Sequence, residues 1–426
     1  MLPQLSGIPD SPLQPFTFWP AVRQKFGDFY TMDFLVWGTP AGTGMETSPS
    51  VYAEGLAPGM IQVAQLASEG APASAEDLNA YVKRCAFDMF CSIMFGQLTQ
   101  VADPSTPTEP ENQQFVAGAS SVLSLSVEIL LDPKEILMNY LGMESAKSQR
   151  TFEAFDVCWE IAQKKIASFE ARKIENQLTD LEQNSYLARA LDRQKEPDGG
   201  VSVREAHEVV FAVASFFPAV DSTSAVLALN MFHVAREPQV QEKLFLELKN
   251  SVETAGSKDG GLTVEALSRQ IVPYLHAVIR ETQRLSPTSA LYLVKQIDTD
   301  GIVAHGTPLS KGDVVSLEGF SIGMDPQFVE NPDEFRPDRW LPEAVASRKG
   351  TPSEIIDHPF LKEPFSQGAR KCPGSRVAAN EIQVMLSQLV LDWKMTSPIA
   401  SFDETTYSMC SAVEVIFPQL TFEARV

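Results

Sequence analysis

The sequence predicts a mostly α fold with a small β region, an α+β arrangement. Three observations carry that prediction. Apolar residues recur at helical spacing through most of the chain after residue 76. Short β-type runs are confined to 292–318 and to the stretch from about 395 onward. The strand–helix alternation of a doubly wound sheet is absent, as are G-x-G-x-x-G and P-loop patterns.

Taken in order, residues 23–34 read as a short helix turning into a strand. Residues 39–75, rich in Gly, Pro, Ala and Ser, read as mostly loop. Asp77–Phe95 carries Leu78, Val82, Cys85, Ala86, Met89 and Ile93 on a helical period. The Pro-rich stretch 103–112 is a loop, and helices follow at about 113–131, 134–142, 148–174 and 178–193. A Pro-Asp-Gly-Gly break at 197–200 precedes Ser202 and Glu205, a capping box that opens a long helix to about Ala235. Pro238 starts the next helix at its first turn, with Val240, Leu244 and Leu248 recurring every four residues. Residues 257–261 break the chain again. Pro273 opens a helix that Pro287 stops, and Asp300–Gly301 marks a turn between strands. Residues 376–394 are helical.

Composition narrows the function. The 426 residues include 34 basic and 55 acidic side chains, for a net charge of −21. Phosphates repel such a chain, so nucleic acid or an anionic membrane surface is excluded as the main partner, and an acidic protein partner needs a local basic patch. Hydrophobic residues make up 44%, enough for a large core. The five cysteines, Cys85, Cys91, Cys158, Cys372 and Cys410, contain no C-x-x-C pair, which argues against a disulfide framework or structural zinc and for a reducing compartment. The five histidines contain no H-x-x-x-H pair for a non-haem metal. No signal peptide, transit peptide or apolar anchor is visible at the N-terminus. The weakly charged stretch 209–232 contains Pro218 and Asp221, which suit a buried central helix better than a membrane span.

The strongest chemical signal is P-F-S-Q-G-A-R-K-C-P-G at 364–374. Phe365, Gly368, Arg370, Cys372 and Gly374 fit F-x-x-G-x-R-x-C-x-G, five fixed positions that ordinary frequencies would match on the order of once in ten thousand such chains. Glycines at 368 and 374 allow a loop to curl beneath a flat macrocycle and aim backbone N–H groups at a sulfur. Such donors and a ferric iron keep Cys372 as a thiolate. Phe365 would cover the sulfur, and Arg370 offers a fork of donors to a haem propionate.

This segment resembles the haem-binding signature of the cytochrome P450 family. Two further motifs support the resemblance. Glu281-Thr282-Gln283-Arg284 fits the family's E-x-x-R helix, with both charges on one face. Residues 331–340 resemble its P-x-R-F segment, with Trp340 for Phe, so the resemblance implies a Glu281–Arg284–Arg339 charge network. Pro218-Ala219-Val220-Asp221-Ser222-Thr223 resembles the oxygen-activating A-G-x-[DE]-T-[TS], with Asp221 as acid and Ser222 in place of the usual Thr. A hydroxyl beside a carboxylate can relay protons toward bound dioxygen. Pro218 should kink the helix there.

The resemblance implies haem b held by the Cys372 thiolate, between the loop of Cys372 and the helix of Asp221. It implies O2 as co-substrate and NADPH acting only through a reductase. The reaction is then monooxygenation of a lipophilic small molecule, sterol-like or fatty-acid-like. Larger stretches, 86–98, 220–244 and 358–381, are similar to the mitochondrial class, which takes electrons from a ferredoxin; a diflavin reductase is the other donor considered. Arg280, Lys371 and Arg376 match basic docking positions of that class, while His276 stands where another Lys is usual. Peripheral membrane contact is compatible with this class.

Residues 1–75 read as a shortened N-terminal segment without the family's B and C helices, and 76–426 as the haem-binding core. The family's W-x-x-x-R propionate clamp has one spacing match, Trp19–Arg23, in the wrong helix. Lys295 falls near another propionate position. Two rivals therefore stay open: a haem-thiolate isomerase or dehydratase of hydroperoxides, and a truncated, catalytically inactive haem-binding relic.

Overall fold

The computed structural model describes residues 57–74, 78–103, 109–188, 220–255, 262–263, 265–287, 293–304, 306–317, 319–365, 372, 374–398, 406–408, 414–416 and 420–425. The chain divides into two compact units. One comprises 1–48, 280–373 and 407–409, the other 49–279, 374–406 and 410–426.

The larger unit is helical. Its described helices are α1 (Ala57–Ser74), α2 (Leu78–Met94), α3 (Pro110–Leu131), α4 (Pro133–Tyr140), α5 (Ala146–Ile174), α6 (Asp180–Gln183), α7 (Asp221–Arg236), α8 (Pro238–Ala255) and the first turns of α9 (Pro273–Leu285). After the Cys372 loop the chain returns to this unit as a helix over Ser375–Asp392 (α13; the intervening helices belong to the smaller unit).

Two of these helices show how the sequence sets their ends. The Ser145 hydroxyl accepts the Ser148 N–H at 3.0 Å to cap α5, whose last turn carries Arg172 and Lys173 against the helix dipole. Thr179 and Glu182 close a capping box on α6. Helix α6 ends at Gln183, and a fresh helical turn begins at Tyr186, so the continuous helix expected over 178–193 is broken at Asn184–Ser185. The break seats the Leu181 carbonyl against Gly96, whose φ of +69° suits glycine; an added Cβ would lie 2.4 Å from that oxygen.

The core centres on Phe87, Phe90, Phe115, Ile161 and Phe169. Helices α3 and α5 pack closely where Gly118 meets Cys158. Helix α7 is buried from Thr223 to Ala235, the environment of a central helix, and packs on α2 and α13. Pro218, the Ser202–Glu205 capping box and residues 209–219 of the weakly charged stretch lie outside the described residues. Among the described residues no helix is long and apolar enough to cross a membrane.

The expectation of loop over 39–75 is overturned for 57–74, which is helix α1. Met60, Val63, Ala64 and Ala67 are each at most 4% exposed and form one face, and α1 packs on α2 and α13. The Ser68 hydroxyl donates to Asp392 at 2.6 Å, and the Trp393 indole N–H donates to the Ser68 carbonyl at 2.9 Å. Its five alanines favour a helix, and burial of this face holds it in spite of Gly70 and Pro72.

The smaller unit holds the short elements. These are the last turns of α9, β1 (Leu293–Gln296), β2 (Ile302–Ala304), β3 (Thr307–Leu309), β4 (Val314–Leu317), α10 (Phe320–Gly323), a 3₁₀ turn at Pro337–Trp340, α11 (Pro342–Ser347), a 3₁₀ turn at Pro352–Asp357 and α12 (Pro359–Lys362). Strands β1 and β4 pair antiparallel with Leu293 opposite Leu317, and β2 and β3 with Ile302 opposite Leu309. Gly301, at φ +85°, makes the turn expected after Asp300. Near the C-terminus lie β5 (Trp393–Thr396), β6 (Thr406–Ser408), β7 (Glu414–Ile416) and β8 (Thr421–Ala424). β5 and β8 pair antiparallel in the larger unit, where the Gln241 side chain bonds both the N–H and the carbonyl of Met395 at 2.8 Å.

Candidate active site

Glu281 is the most fully partnered acid among the described residues of the smaller unit. It sits on α9 with its side chain inaccessible to solvent. Arg284, one turn on, gives it a fork: Nε donates to Oε2 at 2.9 Å and Nη2 to Oε1 at 2.8 Å. Arg339, brought by the 3₁₀ turn, donates to Oε1 at 3.1 Å, as does the Arg336 backbone N–H at 2.9 Å. The Trp340 indole N–H completes the set, donating to Oε2 at 2.8 Å. Burial pushes the Glu281 carboxyl up, but Arg284, the Arg336 N–H and Arg339 outweigh it and hold the group below the usual carboxylate range. Arg284 also donates to the carbonyls of Gly323 and Glu334, and Arg339 to those of Glu330 and Asn331. The network thus fixes the segment that leads toward the cysteine loop.

Trp340 is more than a replacement for Phe. Two guanidinium groups lie over its ring, Arg280 at 4.0 Å and Arg348 at 5.0 Å from the centroid. Sequence reasoning passed over both its indole N–H and Arg348. The only signal was a residue with a donor where the family pattern has none. Arg280 also donates to the Ile356 carbonyl at 3.4 Å, so this docking candidate is held in place and half-buried. Beside it opens a small pocket lined by Arg280, Trp340, Ile356, Leu361 and Lys362.

Of the cysteine motif, Phe365, Cys372 and Gly374 fall among the described residues. Gly368, Arg370 and the docking candidate Lys371 lie outside them. The Cys372 N–H donates to the Phe365 carbonyl at 2.9 Å, which closes the motif into a loop. Cys372 is half-buried, whereas Cys85, Cys91 and Cys158 are buried. Burial pushes the Cys91 and Cys158 thiols up to about 12 and that of Cys85 higher still, so these three are inert packing groups. Gly374 caps α13 with φ −79°, a conformation open to any residue. Its place in the motif therefore does not rest on special backbone freedom, contrary to expectation. Arg376, in the first turn of α13, is exposed. Lys295 sits on β1 opposite Val315.

In the larger unit, Asp221 and Ser222 form the first turn of α7. The Asp221 side chain is 11% exposed and pairs with Lys83 of α2 at 3.3 Å, an ion pair that no motif announced. The Ser224 hydroxyl donates to the Asp221 carbonyl at 2.9 Å. His276 Nε2 donates to the Leu267 carbonyl, 3.2 Å away, and burial holds its imidazole below the usual value, so it does not supply the charge of the Lys it replaces.

Comparison with known proteins bears on the family. The family model described as Cytochrome P450 matches residues 61–415, which begins inside α1. The chain is 32% identical over 173 residues to ferruginol synthase of Salvia fruticosa, covering 40% of this chain and 32% of that protein. It is 31% identical over 214 residues to cytochrome P450 monooxygenase dpfgJ of Gibberella zeae, covering 50% and 42%. Against the mitochondrial sterol 26-hydroxylase of Homo sapiens it is 31% identical over 179 residues, covering 41% and 31%. The chain thus spans about a third to two fifths of the curated relatives it matches. With a match across most of its length, this chain belongs to the cytochrome P450 family.

Proposed function

We propose that the chain is a haem-thiolate monooxygenase that inserts one oxygen atom of O2 into a lipophilic small molecule. The observation that carries this is Cys372. Among the described residues it is the cysteine that is not buried, and it sits at the mouth of α13 in the loop closed by Phe365. An iron porphyrin needs an accessible thiolate, and the other described cysteines resist ionisation. The donor set therefore fits haem. When bound, the haem would supply oxygen activation, with electron density drawn from the Cys372 thiolate.

The chain's own residues have distinct tasks in this reading. Cys372 ligates the iron, and Phe365 keeps water from the sulfur. Arg370 and Lys295 offer donors to the propionates. The Glu281–Arg284–Arg339 network, with Trp340, fixes the fold around the cysteine loop. Asp221, oriented by Lys83, and Ser222 move protons at the carboxylate and hydroxyl oxygens of α7. Electrons come from a ferredoxin, with Arg280, Lys371 and Arg376 as docking residues, and a diflavin reductase is the other candidate. A sterol-like or fatty-acid-like substrate is the proposed class. One matched relative is named a sterol 26-hydroxylase.

The test is spectroscopic. The full chain reconstituted with hemin, reduced and exposed to CO, should show the Soret band of a thiolate ligand. Cys372→Ala should lose that band while keeping its far-UV circular dichroism. A histidine-type band, or no haem uptake by folded protein, overturns the reading. Turnover of a lipid hydroperoxide without reductant, coupled to no O2-dependent hydroxylation, would favour the isomerase.

A further inference from the structure

Glu381 lies in the middle of α13, 2% exposed, and faces α7. Its Oε1 makes no hydrogen bond among the described residues, nor does Oγ1 of Thr223, which is 3% exposed on α7. The two side chains are neighbours: burial pushes the Glu381 carboxyl up to about 8, and the Thr223 hydroxyl is the one group that pulls it back. No arginine or lysine reaches Glu381 among the described residues. Glu281 gives the contrast within the same chain, since five N–H donors, among them those of two guanidinium groups, hold it ionised. A single hydroxyl does not offset the several kcal/mol that a buried, unpaired carboxylate costs, so the group keeps its proton instead.

We propose that these two otherwise unpartnered groups pair across the α13–α7 contact, with Glu381 as donor and the Thr223 hydroxyl as acceptor, which makes Glu381 a positioning residue for the Asp221–Ser222 turn of α7. Thr223 directly follows the acid and hydroxyl of the proposed proton relay. That turn is then anchored from two sides: Lys83 of α2 holds Asp221, and Glu381 of α13 holds Thr223. Ionisation of Glu381 would set a bare charge against α7 and disturb the turn. Gln at 381 would keep the shape and the hydrogen bond without the titration.

The structural half of this proposal stands by itself, and the catalytic half rests on the monooxygenase reading. Infrared difference spectra of the full chain should show a protonated-carboxyl C=O band at pH 7 that fades with a midpoint near pH 8. Glu381→Gln should remove the band, and Thr223→Val should shift its frequency. If no band at pH 7 depends on Glu381, or if Thr223→Val leaves it unmoved, the proposal is wrong. In the holoenzyme, the fraction of O2 consumption that yields product should fall several-fold between pH 7 and pH 9 in the wild type and stay flat in Glu381→Gln. An unchanged alkaline fall in Glu381→Gln overturns the positioning role. Failure of the thiolate spectrum would instead sink the monooxygenase reading and leave the infrared result standing.

Discussion

Two buried glutamates show how little of a residue's state lies in its own identity. Glu281 and Glu381 are both shielded from water, yet one is surrounded by donors and the other meets a single hydroxyl. For Glu281, each donor carries part of the cost of burying the charge. Trp340→Phe removes the 2.8 Å bond to Oε2 and should cost about 1–3 kcal/mol of stability. Arg284→Ala removes the fork and leaves a buried charge short of a partner, so about 3–5 kcal/mol is expected. Urea denaturation followed by circular dichroism measures both. Equal losses for the two variants would mean that Arg284 adds nothing beyond one hydrogen bond. The sequence spacing of Glu281 and Arg284 was enough to place them on one helix face. The roles of Trp340 and the Arg336 N–H were not legible, because those donors arrive some fifty residues later through a chain turn.

At the scale of elements, the longer described helices after α1 lie close to where their apolar periods placed them, the short α10, α11 and α12 carry too few turns to show a period, and the exceptions are instructive. Helix α1 carries a proper period in Met60, Val63, Ala64 and Ala67. Its face is built largely of alanine, in a stretch dense with glycine and proline, so composition hid the pattern. The break between α6 and Tyr186 has a different cause: the turn is needed to bring Leu181 and Glu182 against Gly96, a long-range packing demand with no local sequence mark. Helix pairing obeys similar demands. Gly118 lets α3 approach α5, and a Cβ there would sit 2.5 Å from the Cys158 sulfur. Gly118→Ala should therefore destabilise the chain by about 1–3 kcal/mol through overpacking. Adding Cys158→Ala opens the space, so the double variant should lose less than the sum of the two single losses. Strict additivity in the same urea titration would show that the α3–α5 contact does not set the spacing of the pair.

For the whole molecule, the question is which charges make stability depend on pH. A net charge of −21 suggests a chain stabilised by acid, but exposed carboxylates are ionised in both the folded and unfolded states near neutrality and contribute little slope there. The shifted groups decide. Glu281, held below its ordinary range, adds stability that is lost only as pH falls through its lowered pKa, far from neutrality. His276, lowered by burial, makes stability rise with pH around its ordinary value of 6.5 and is spent by pH 7.5 or so. The buried thiols, raised to about 12, begin to count only as the unfolded thiols ionise near 9. Burial also raises Asp88 and Glu247, but backbone N–H donors pull both back, so among the described residues the acid lifted into the window between pH 7 and pH 8 is Glu381. Its folded pKa is about 8 against an ordinary 4.5, so the folded chain binds a proton that the unfolded chain has released. Stability must then fall as pH rises through that window, by about 1 kcal/mol at the full slope of about 1.4 kcal/mol per pH unit reduced by partial titration. Denaturation midpoints taken at pH 7 and pH 8 should shift accordingly in the wild type and stay level in Glu381→Gln. A wild-type midpoint that rises across the same unit would mean that Glu381 is already ionised in the folded chain, with a cation that the described residues do not supply.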